Sequence, residues 1–264
     1  MIKNYQTILT NKKQLVNNIY FFKFKLIEPL EISFIPGQYL ILKVQGKPRL
    51  YSIASSSLEK NTLEFIIELF PGGLASTYLD KLKIGEEVIF HGPAGQFKLR
   101  ENDKQKIFLV TGTGIAPVRS MLKSTLDIGG LKLDKEVGNL MLEDQSSNFQ
   151  SQNPASNFQH QTSIFLFWGL KTYKDVYLFD ELKEFNLKIC LSRESNLNMI
   201  LEPDRQYFDL GHVDQVMERQ LANYRLQITD YEFYLCGGRN VVESLRQNLL
   251  SKNIPQEYIY FEKF

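Results

Sequence analysis

Residues 107–117 read Ile107-Phe108-Leu109-Val110-Thr111-Gly112-Thr113-Gly114-Ile115-Ala116-Pro117. The first four residues are continuously apolar, which is typical of a parallel strand that is buried on both faces. Two glycines follow, and a run with helical character begins at Val118. A glycine-rich turn between a strand and a helix brings free N–H groups within reach of a phosphate. The spacing is not Gly-x-Gly-x-x-Gly, so a turn without any ligand explains the stretch equally well.

Strands and helices alternate from this stretch to residue 264. Further short apolar segments predict strands at residues 164–168, 188–191 and 233–235. Two apolar stripes predict helices that face the core, one with Val213, Val216, Met217 and Leu221 and the other with Val241, Val242, Leu245 and Leu249. The alternation predicts a doubly wound parallel sheet in a domain of residues 106–264.

The first hundred residues have a different pattern. Short, aromatic and partly alternating segments predict strands at residues 19–26, 39–44, 62–69 and 88–90. One helix interrupts them, because Leu74, Tyr78, Leu79 and Leu82 fall at helical spacing. Several short strands at this spacing predict an antiparallel sandwich or barrel over residues 1–101. The charged run at residues 100–106 is then a linker, or alternatively a solvated hairpin loop.

Residues 128–162 interrupt the alternation of strands and helices. Their second half is rich in Ser, Gln and Asn, and Ser-Asn-Phe-Gln occurs twice, at residues 147–150 and 156–159. Such a segment buries too little apolar area to offset the entropy of ordering it. We therefore expect a mobile insertion, with the docking of a partner as the alternative.

Composition argues against several kinds of partner and site. The 264 residues carry 31 Lys and Arg against 30 Asp and Glu, which does not favour nucleic acid or an anionic membrane as a partner. Two cysteines and three scattered histidines predict neither a disulfide framework nor a metal site. The N-terminus lacks the pattern of a signal peptide, and no apolar run is long enough to span a bilayer. We therefore expect a cytoplasmic protein.

Three further motifs have residues suited to nucleotide ligands. Arg49-Leu50-Tyr51-Ser52 offers a flavin a cation for pyrophosphate, a ring for stacking and a donor for N5, although an ordinary strand also fits. Gly73-Leu74-Ala75-Ser76 opens a helix that could meet a pyrophosphate, unless Ser76 or Thr77 simply caps it. Cys236-Gly237 ends a predicted parallel strand, where ligands bind, but free cysteines are also common in cores.

In their order along the chain, these four motifs resemble those of the ferredoxin–NADP reductase superfamily, in particular the reductase components of bacterial ring-hydroxylating oxygenases. The resemblance spans nearly the whole chain. It implies an N-terminal antiparallel Greek-key β-barrel that binds FAD and a C-terminal Rossmann-like α/β domain that binds NAD(P)H. The implied FAD-binding residues are Arg49, Leu50, Tyr51, Ser52, Ile67, Glu68, Gly73, Leu74, Ala75, Ser76 and Phe264. The implied NAD(P)H-binding residues are Gly112, Thr113, Gly114, Ser192, Arg193, Cys236 and Gly237.

The resemblance also implies an activity, that of an NAD(P)H-dependent flavoprotein reductase in which hydride passes from the nicotinamide to the flavin. Ser52, Cys236 and Glu262 are the implied catalytic residues, and Glu262 belongs to a C-terminal Phe-Glu-Lys-Phe motif. Ser192 and Arg193 favour NADPH slightly, because arginine suits a 2′-phosphate, although NADH-using relatives share the pair.

The electron acceptor is not named by these motifs. The chain has no cysteine-rich segment for an iron–sulfur cluster, so we expect a separate redox protein, such as ferredoxin, flavodoxin or an oxygenase component, with a small molecule such as a quinone as the alternative acceptor. We also expect a monomer. Two alternatives stay open at this point: a reductase that uses free flavin as a substrate, and a non-catalytic regulator that binds flavin or nucleotide.

Overall fold

The computed structural model describes residues 3–102, 104–127, 164–224 and 231–264. These residues form two six-stranded sheets, of which one is antiparallel and the other parallel. The predicted two-domain fold is thereby confirmed. The insertion expected at residues 128–162 lies outside the described residues, and the domain limits 1–101 and 106–264 stay a prediction.

The antiparallel sheet contains the first six strands. In chain order these are β1 Lys3–Val16, β2 Ile19–Glu28, β3 Tyr39–Val44, β4 Lys47–Ser52, β5 Thr62–Glu68 and β6 Glu87–Ala94. They pair in the order β4-β3-β6-β1-β2-β5, and helix α1, Leu74–Lys81, lies in the chain between β5 and β6. Just beyond β4, the N–H of Ala54 donates to the carbonyl of Glu64 in β5 at 2.8 Å. This bond links the two edges of the sheet, as the closure of a barrel requires.

Aromatic side chains fill the core of this sheet. Phe22, Phe24, Phe65 and Phe90 are each at most 1% exposed. Phe24 meets Phe90 edge to face at 5.1 Å between ring centroids, and Phe65 stacks on Phe90 at 5.0 Å. Such pairs add to the stabilisation that comes from burial alone. The aromatic segments of the sequence are therefore the ones that hold the N-terminal half together.

The parallel sheet contains the other six strands. These are β7 Gln105–Thr111, β8 Ile164–Leu170, β9 Asn186–Leu191, β10 Phe208–Leu210, β11 Tyr231–Gly237 and β12 Ile259–Lys263. The described helices of this half are α2 Ile115–Asp127, α3 Phe179–Leu182, α4 Val213–Tyr224 and α5 Arg239–Ser251. The strands lie in the order β10-β9-β8-β7-β11-β12, all parallel. Chain order therefore runs toward one edge of the sheet from β7 to β10 and toward the other edge from β11 to β12, and the reversal point lies between β7 and β11. Ligands of open α/β sheets bind at such a reversal, beyond the carboxyl ends of the strands.

Two expectations about the parallel half were wrong. Val241 was assigned to a core stripe, but its side chain is 42% exposed because it lies in the first turn of α5, beside a cavity. Lys106 was assigned to the charged linker, but it lies in β7 and is 3% exposed. Its ammonium lies 2.8 Å from the carboxylate of Glu232 in β11. A lysine can be buried here because that carboxylate compensates its charge.

A buried arginine joins the two halves of the molecule. Arg119 of α2 is 5% exposed. Its guanidinium donates to the Ala54 carbonyl at 2.7 Å and to the Glu64 carboxylate at 2.8 Å. It also forms a two-point ion pair with Glu181 of α3, at 2.6 and 3.0 Å. Burial alone would raise the pKa of Glu64, but the charge and hydrogen bond of Arg119 and the hydrogen bond of Lys23 bring that pKa below its usual value.

Further residues of α2 contact the same segment of the N-terminal half. The Ser120 hydroxyl donates to the Ser55 carbonyl at 2.7 Å, and the Ser124 hydroxyl accepts from the Ser57 N–H at 2.9 Å. Residues 120 and 124 are four apart in the helix and therefore share a face. Since α2 begins directly after the turn Gly112–Gly114, this contact fixes that turn relative to the end of β4.

We expect Arg119→Gln to lower the free energy of unfolding by about 3–5 kcal/mol, because Glu64 then keeps a buried charge without its main cation. Arg219→Gln is the matched control. The Arg219 side chain is 50% exposed, and its ion pair with Asp209 is expected to contribute at most about 1 kcal/mol. Urea unfolding followed by circular dichroism measures both variants, and equally small effects would contradict the role of Arg119.

Candidate active site

A cavity of about 1380 Å³ lies between the two sheets. The N-terminal half borders it with β4, β5 and the beginning of α1, and the C-terminal half borders it with the carboxyl ends of its parallel strands. Most of the predicted site residues line it: Arg49, Leu50, Tyr51, Ser52, Ile67, Glu68, Gly73, Leu74, Ala75, Ser76, Gly112, Thr113, Ser192, Arg193, Glu262 and Phe264. The fold thus brings motifs from both ends of the chain into one place.

Three predicted residues, Gly114, Cys236 and Gly237, do not line the cavity. Cys236 is 1% exposed, and Gly114 packs against its backbone so closely that an added Cβ would lie 2.4 Å from the Cys236 carbonyl oxygen. At Gly237, where φ is +156°, an added Cβ would lie 2.1 Å from Oγ1 of Thr111. The three residues therefore allow the glycine turn and the end of β11 to pack together beneath the cavity.

A hydrogen bond between β4 and β12 joins the two halves inside the cavity. The hydroxyl of Ser52, the last residue of β4, donates to a carboxylate oxygen of Glu262 at 2.8 Å. Glu262 is the fourth residue of β12, and its register partner in the neighbouring strand β11 is Cys236. A carboxyl group, a hydroxyl group and a thiol are thus placed close to the reversal point of the parallel sheet.

Burial favours the protonated forms of both acidic groups at this point. Burial raises the pKa of Glu262, and the hydrogen bond from Ser52 offsets part of that rise. Burial and the nearby negative charge of Glu262 raise the pKa of the Cys236 thiol well above its usual value. Cys236 is therefore a neutral thiol at physiological pH and is not a nucleophile, because thiol reactivity requires the thiolate.

The strand β4 presents one cation and one ring to the cavity. Arg49 is exposed, and its guanidinium donates to the carbonyl of the preceding Pro48 at 2.8 Å. The guanidinium has five N–H donors, so others are available to a ligand. Tyr51 is half-buried, and burial raises its pKa to about 12, although the charge of Arg49 opposes this rise. Its phenol is therefore neutral and presents an uncharged aromatic face.

The beginning of α1 provides hydrogen-bond donors. Its N-cap is Gly73, so neither Ser76 nor Thr77 caps the helix. The Ser76 hydroxyl oxygen instead accepts a hydrogen bond from the N–H of Phe70 at 2.9 Å, which leaves its proton available to a ligand. Because Ser76 also lines the cavity, this end of the helix suits an anionic group.

The loops after β8 and β9 form the opposite wall. The N–H of Ser192 donates to the Leu170 carbonyl at 3.0 Å, and the N–H of Arg193 donates to the Lys171 carbonyl at 2.8 Å. These bonds hold the two loops together and place two cations, Lys171 and Arg193, in the lining of the same cavity. Such a wall suits a phosphate, which arginine can bind through two parallel hydrogen bonds.

Sequence reasoning missed several residues that line the cavity. They are Asn17 and Asn18 between β1 and β2, and His212, Gln215, Asn240 and Ser244 near the beginnings of α4 and α5. The last four residues follow the carboxyl ends of the parallel strands β10 and β11, so their position after a strand end was a usable signal. The two asparagines belong to the other half of the molecule, and nothing local in the sequence marks them.

The residues around the cavity fit a flavin dinucleotide and a nicotinamide dinucleotide. Helix beginnings at α1 and α2 offer N–H groups to phosphates, and Arg49 and Arg193 supply cations. Tyr51 and Phe264 supply aromatic faces. The volume exceeds the roughly 300–1,000 Å³ of an ordinary ligand pocket, which suits two large ligands.

Comparison with known families identifies both halves. The family model described as the oxidoreductase FAD-binding domain matches residues 6–99. The model described as the oxidoreductase NAD-binding domain matches residues 108–247, which is more than half of the chain. The chain belongs to this family of oxidoreductases. The predicted combination of a FAD-binding and an NAD-binding domain in one flavoprotein is thereby confirmed.

The relatives of this chain include electron-transfer and reductase components of oxygenases. The chain is 29% identical to the toluate 1,2-dioxygenase electron transfer component of Pseudomonas putida, over 98% of this chain and 67% of the relative. It is 26% identical to the propane 2-monooxygenase reductase component of Mycolicibacterium smegmatis, over 92% of this chain and 62% of the relative. The chain spans about two thirds or less of the length of these relatives.

Solved structures share the fold. The ferredoxin reductase in carbazole 1,9a-dioxygenase matches with a TM-score of 0.74 at 18% identity, over 100% of this chain and 70% of that one. A ferredoxin NADP+ reductase from Neisseria gonorrhoeae with bound FAD and NADP matches with a TM-score of 0.70 at 18% identity, over 99% of this chain and 98% of that one. The expected ferredoxin–NADP reductase type of fold is confirmed.

Two further findings concern the described residues alone. None of their helices is both long and apolar enough to cross a membrane. Within the same part of the chain, no group of three or more His, Cys, Asp or Glu side chains is placed to hold a metal ion.

The raised pKa of Glu262 predicts a pH effect on stability. Glu262 binds its proton more tightly in the folded state, so its contribution favours folding at low pH and is lost as the pH rises from the ordinary glutamate pKa through the raised one. We expect Glu262→Gln to raise the melting temperature at pH 8, and we expect this gain to shrink as the pH falls through the raised pKa toward the ordinary glutamate pKa. Glu257→Gln, on the surface, is the control. A gain that does not depend on pH would contradict the prediction.

Proposed function

We propose that this chain is an NAD(P)H-dependent flavoprotein reductase that passes electrons through FAD to a separate redox protein. The observation that carries the proposal is the 2.8 Å hydrogen bond from Ser52 to Glu262 in the shared cavity. It joins the end of a strand in the FAD-binding half to a strand in the NAD-binding half. Ligands held at these two places would therefore be neighbours, as electron transfer between them requires.

The N-terminal wall of the cavity holds FAD in this proposal. Arg49 and the beginning of α1 at Gly73 and Ser76 bind the pyrophosphate through charge and N–H donors. Tyr51 and Phe264 contact the ring system, and the Phe264 side chain, which is 58% exposed, covers it from the solvent side. Leu50, Ile67, Glu68, Leu74 and Ala75 complete this wall.

The C-terminal wall holds the nicotinamide dinucleotide. Gly112 and Thr113 receive it at the reversal point of the strand order, with Gly114 packed beneath them, and Ser192 and Arg193 bind its adenosine end. The proximity of Lys171 to Arg193 supports acceptance of the 2′-phosphate of NADPH, because two cations face that wall. When bound, FAD supplies the ability to take two electrons from NAD(P)H and release them singly or in pairs.

Ser52 and Glu262 are the proposed catalytic residues, and Cys236, which was expected to be a third, is a proposed positioning residue because it does not line the cavity. The Ser52 hydroxyl donates to Glu262, so the two side chains orient each other where the FAD-binding and NAD-binding walls meet. Burial raises the Glu262 pKa above its ordinary value, which makes this carboxyl easier to protonate than an exposed glutamate. Cys236 is an uncharged thiol beneath the cavity, and its backbone packs against Gly114 of the glycine turn.

The proposed acceptor is a protein such as ferredoxin, flavodoxin or an oxygenase component. The relatives named above are electron-transfer or reductase components of oxygenases, which supports a protein acceptor. Both cysteines are free and buried, which supports a reducing, cytoplasmic environment. A monomeric state stays a prediction.

Purification without added flavin tests the flavin site, because a tightly bound FAD leaves the protein yellow. We expect Arg49→Ala to weaken FAD binding to the apoprotein about tenfold or more, as the loss of a charge-assisted hydrogen bond predicts. Lys47→Ala is the matched control, since Lys47 is an exposed cation of the same strand that does not line the cavity.

Activity measurements complete that test. The protein with FAD is expected to reduce a ferredoxin or flavodoxin when NADPH is supplied. A colourless protein that reduces free FAD or FMN would instead show a free-flavin reductase. A yellow protein with no NAD(P)H-dependent reduction of any dye or protein would show a non-catalytic flavin-binding protein.

Nucleotide preference depends on Arg193. We expect Arg193→Ala to raise KM for NADPH about tenfold or more and to change KM for NADH little, because only NADPH carries the 2′-phosphate. Arg205→Ala is the control, since Arg205 belongs to the same half and does not line the cavity. Steady-state kinetics with both nucleotides measures the effect, and equal changes in the two KM values would contradict it.

A further inference from the structure

The carbonyl oxygen of Gly112 accepts hydrogen bonds from two buried side chains. The indole N–H of Trp168 donates to it at 3.0 Å, and the hydroxyl of Tyr177 donates to it at 3.1 Å. The backbone N–H of Ile115 is a third donor, from within the turn itself. Side-chain donors from two other segments therefore converge on one peptide of the glycine turn.

The two side-chain donors are held rigidly. Trp168 of β8 is 0% exposed and Tyr177, just before α3, is 4% exposed. Their rings meet edge to face, with centroids 4.8 Å apart and planes at 90°. Burial raises the pKa of Tyr177, so its hydroxyl keeps the proton that it donates. Neither donor has access to bulk water, so each depends on the Gly112 oxygen.

These contacts determine which side of the peptide faces the cavity. A trans peptide is planar, and its C=O and N–H groups point in opposite directions. Trp168 and Tyr177 do not line the cavity, so the Gly112 carbonyl points into the protein. The N–H of Thr113, at the other end of the same peptide, then points toward the cavity, which Thr113 lines. The glycine itself adopts φ of +53°, a conformation that other residues rarely adopt.

We propose that Trp168 and Tyr177 are positioning residues for the nicotinamide dinucleotide: they lock the Gly112–Thr113 peptide so that its N–H, not its carbonyl, faces the ligand. An oxygen of the dinucleotide, on its pyrophosphate or its carboxamide, is the partner of that N–H. A reversed peptide would present a carbonyl oxygen to the same ligand oxygen and repel it. The inference rests on the proposed function, because it assumes that this cavity binds NAD(P)H.

The Tyr177 segment also connects this peptide to the other half of the molecule. Asp175, two residues before Tyr177, accepts a hydrogen bond from the side-chain amide of Asn17 at 2.8 Å. It also accepts from the N–H and the hydroxyl of Thr172, both at 2.9 Å, and so closes the short turn before Tyr177. The position of the tyrosine hydroxyl is therefore fixed from both halves.

The test uses the protein with FAD bound and isothermal titration with NADP+, the oxidised dinucleotide, so that no turnover is needed. We expect Tyr177→Phe, which removes one hydroxyl, to raise the Kd for NADP+ about five- to tenfold. We expect Trp168→Phe to raise it by at least as much, and the double variant to raise it by less than the product, since both act on one peptide. Tyr207→Phe is the control, a tyrosine of the same half that does not line the cavity.

A second ligand identifies the oxygen that is bound. 2′-Phospho-ADP-ribose has the pyrophosphate but lacks nicotinamide. Weakened binding of both ligands places the contact at the pyrophosphate, and weakened binding of NADP+ alone places it at the carboxamide. Either result supports the inference.

Other outcomes would overturn it. An unchanged Kd for NADP+ in Tyr177→Phe would show that the tyrosine does not orient the peptide. An equal loss of FAD and NADP+ binding, with a lower melting temperature, would show a purely structural role. If the unsubstituted protein with FAD bound neither NADP+ nor NAD+, the proposed function itself would fail, and the inference with it.

Discussion

The guanidinium of Arg119 is the contact on which the arrangement of the two halves depends. It donates to the Ala54 carbonyl, just beyond the end of β4, and to the Glu64 carboxylate in β5, and it pairs with Glu181 in the parallel half. An arginine that is 5% exposed cannot relax into water, so these partners must stay where they are. The packing of α2 against the N-terminal half follows from this requirement, and Ser120 and Ser124 extend the contact along the helix.

The site is a consequence of that packing. Because α2 begins directly after the glycine turn, fixing the helix against the N-terminal half also fixes the turn opposite β4. The end of β4 then meets β12, and Ser52 donates to Glu262. Trp168 and Tyr177 orient the same turn from within the parallel half. The contacts of Arg119 therefore fix the two halves relative to each other, and those of Trp168 and Tyr177 fix the peptide that faces the cavity.

The sequence was sufficient for features that depend on local pattern and insufficient for those that depend on distant contacts. Aromatic strands, the continuously apolar β7 and the glycine turn were all predicted. Strand β1 was missed because its buried positions are Tyr5, Thr7 and Leu9, and the threonine weakens the apolar alternation. The burial of Lys106 depends on Glu232, which lies 126 residues away, so no local pattern could reveal it. Which site residues line the cavity and which lie beneath it, as Cys236 does, also required the three-dimensional packing.

The hydrogen bond between Ser52 and Glu262 has a consequence for the order of events during synthesis. The two residues are 210 positions apart, so Ser52 leaves the ribosome on the order of ten to forty seconds before Glu262 does. The aromatic core of the antiparallel sheet is complete within the first part of that interval, since its strands end at Ala94. For the rest of the interval the nascent N-terminal half exposes one wall of the cavity without the other.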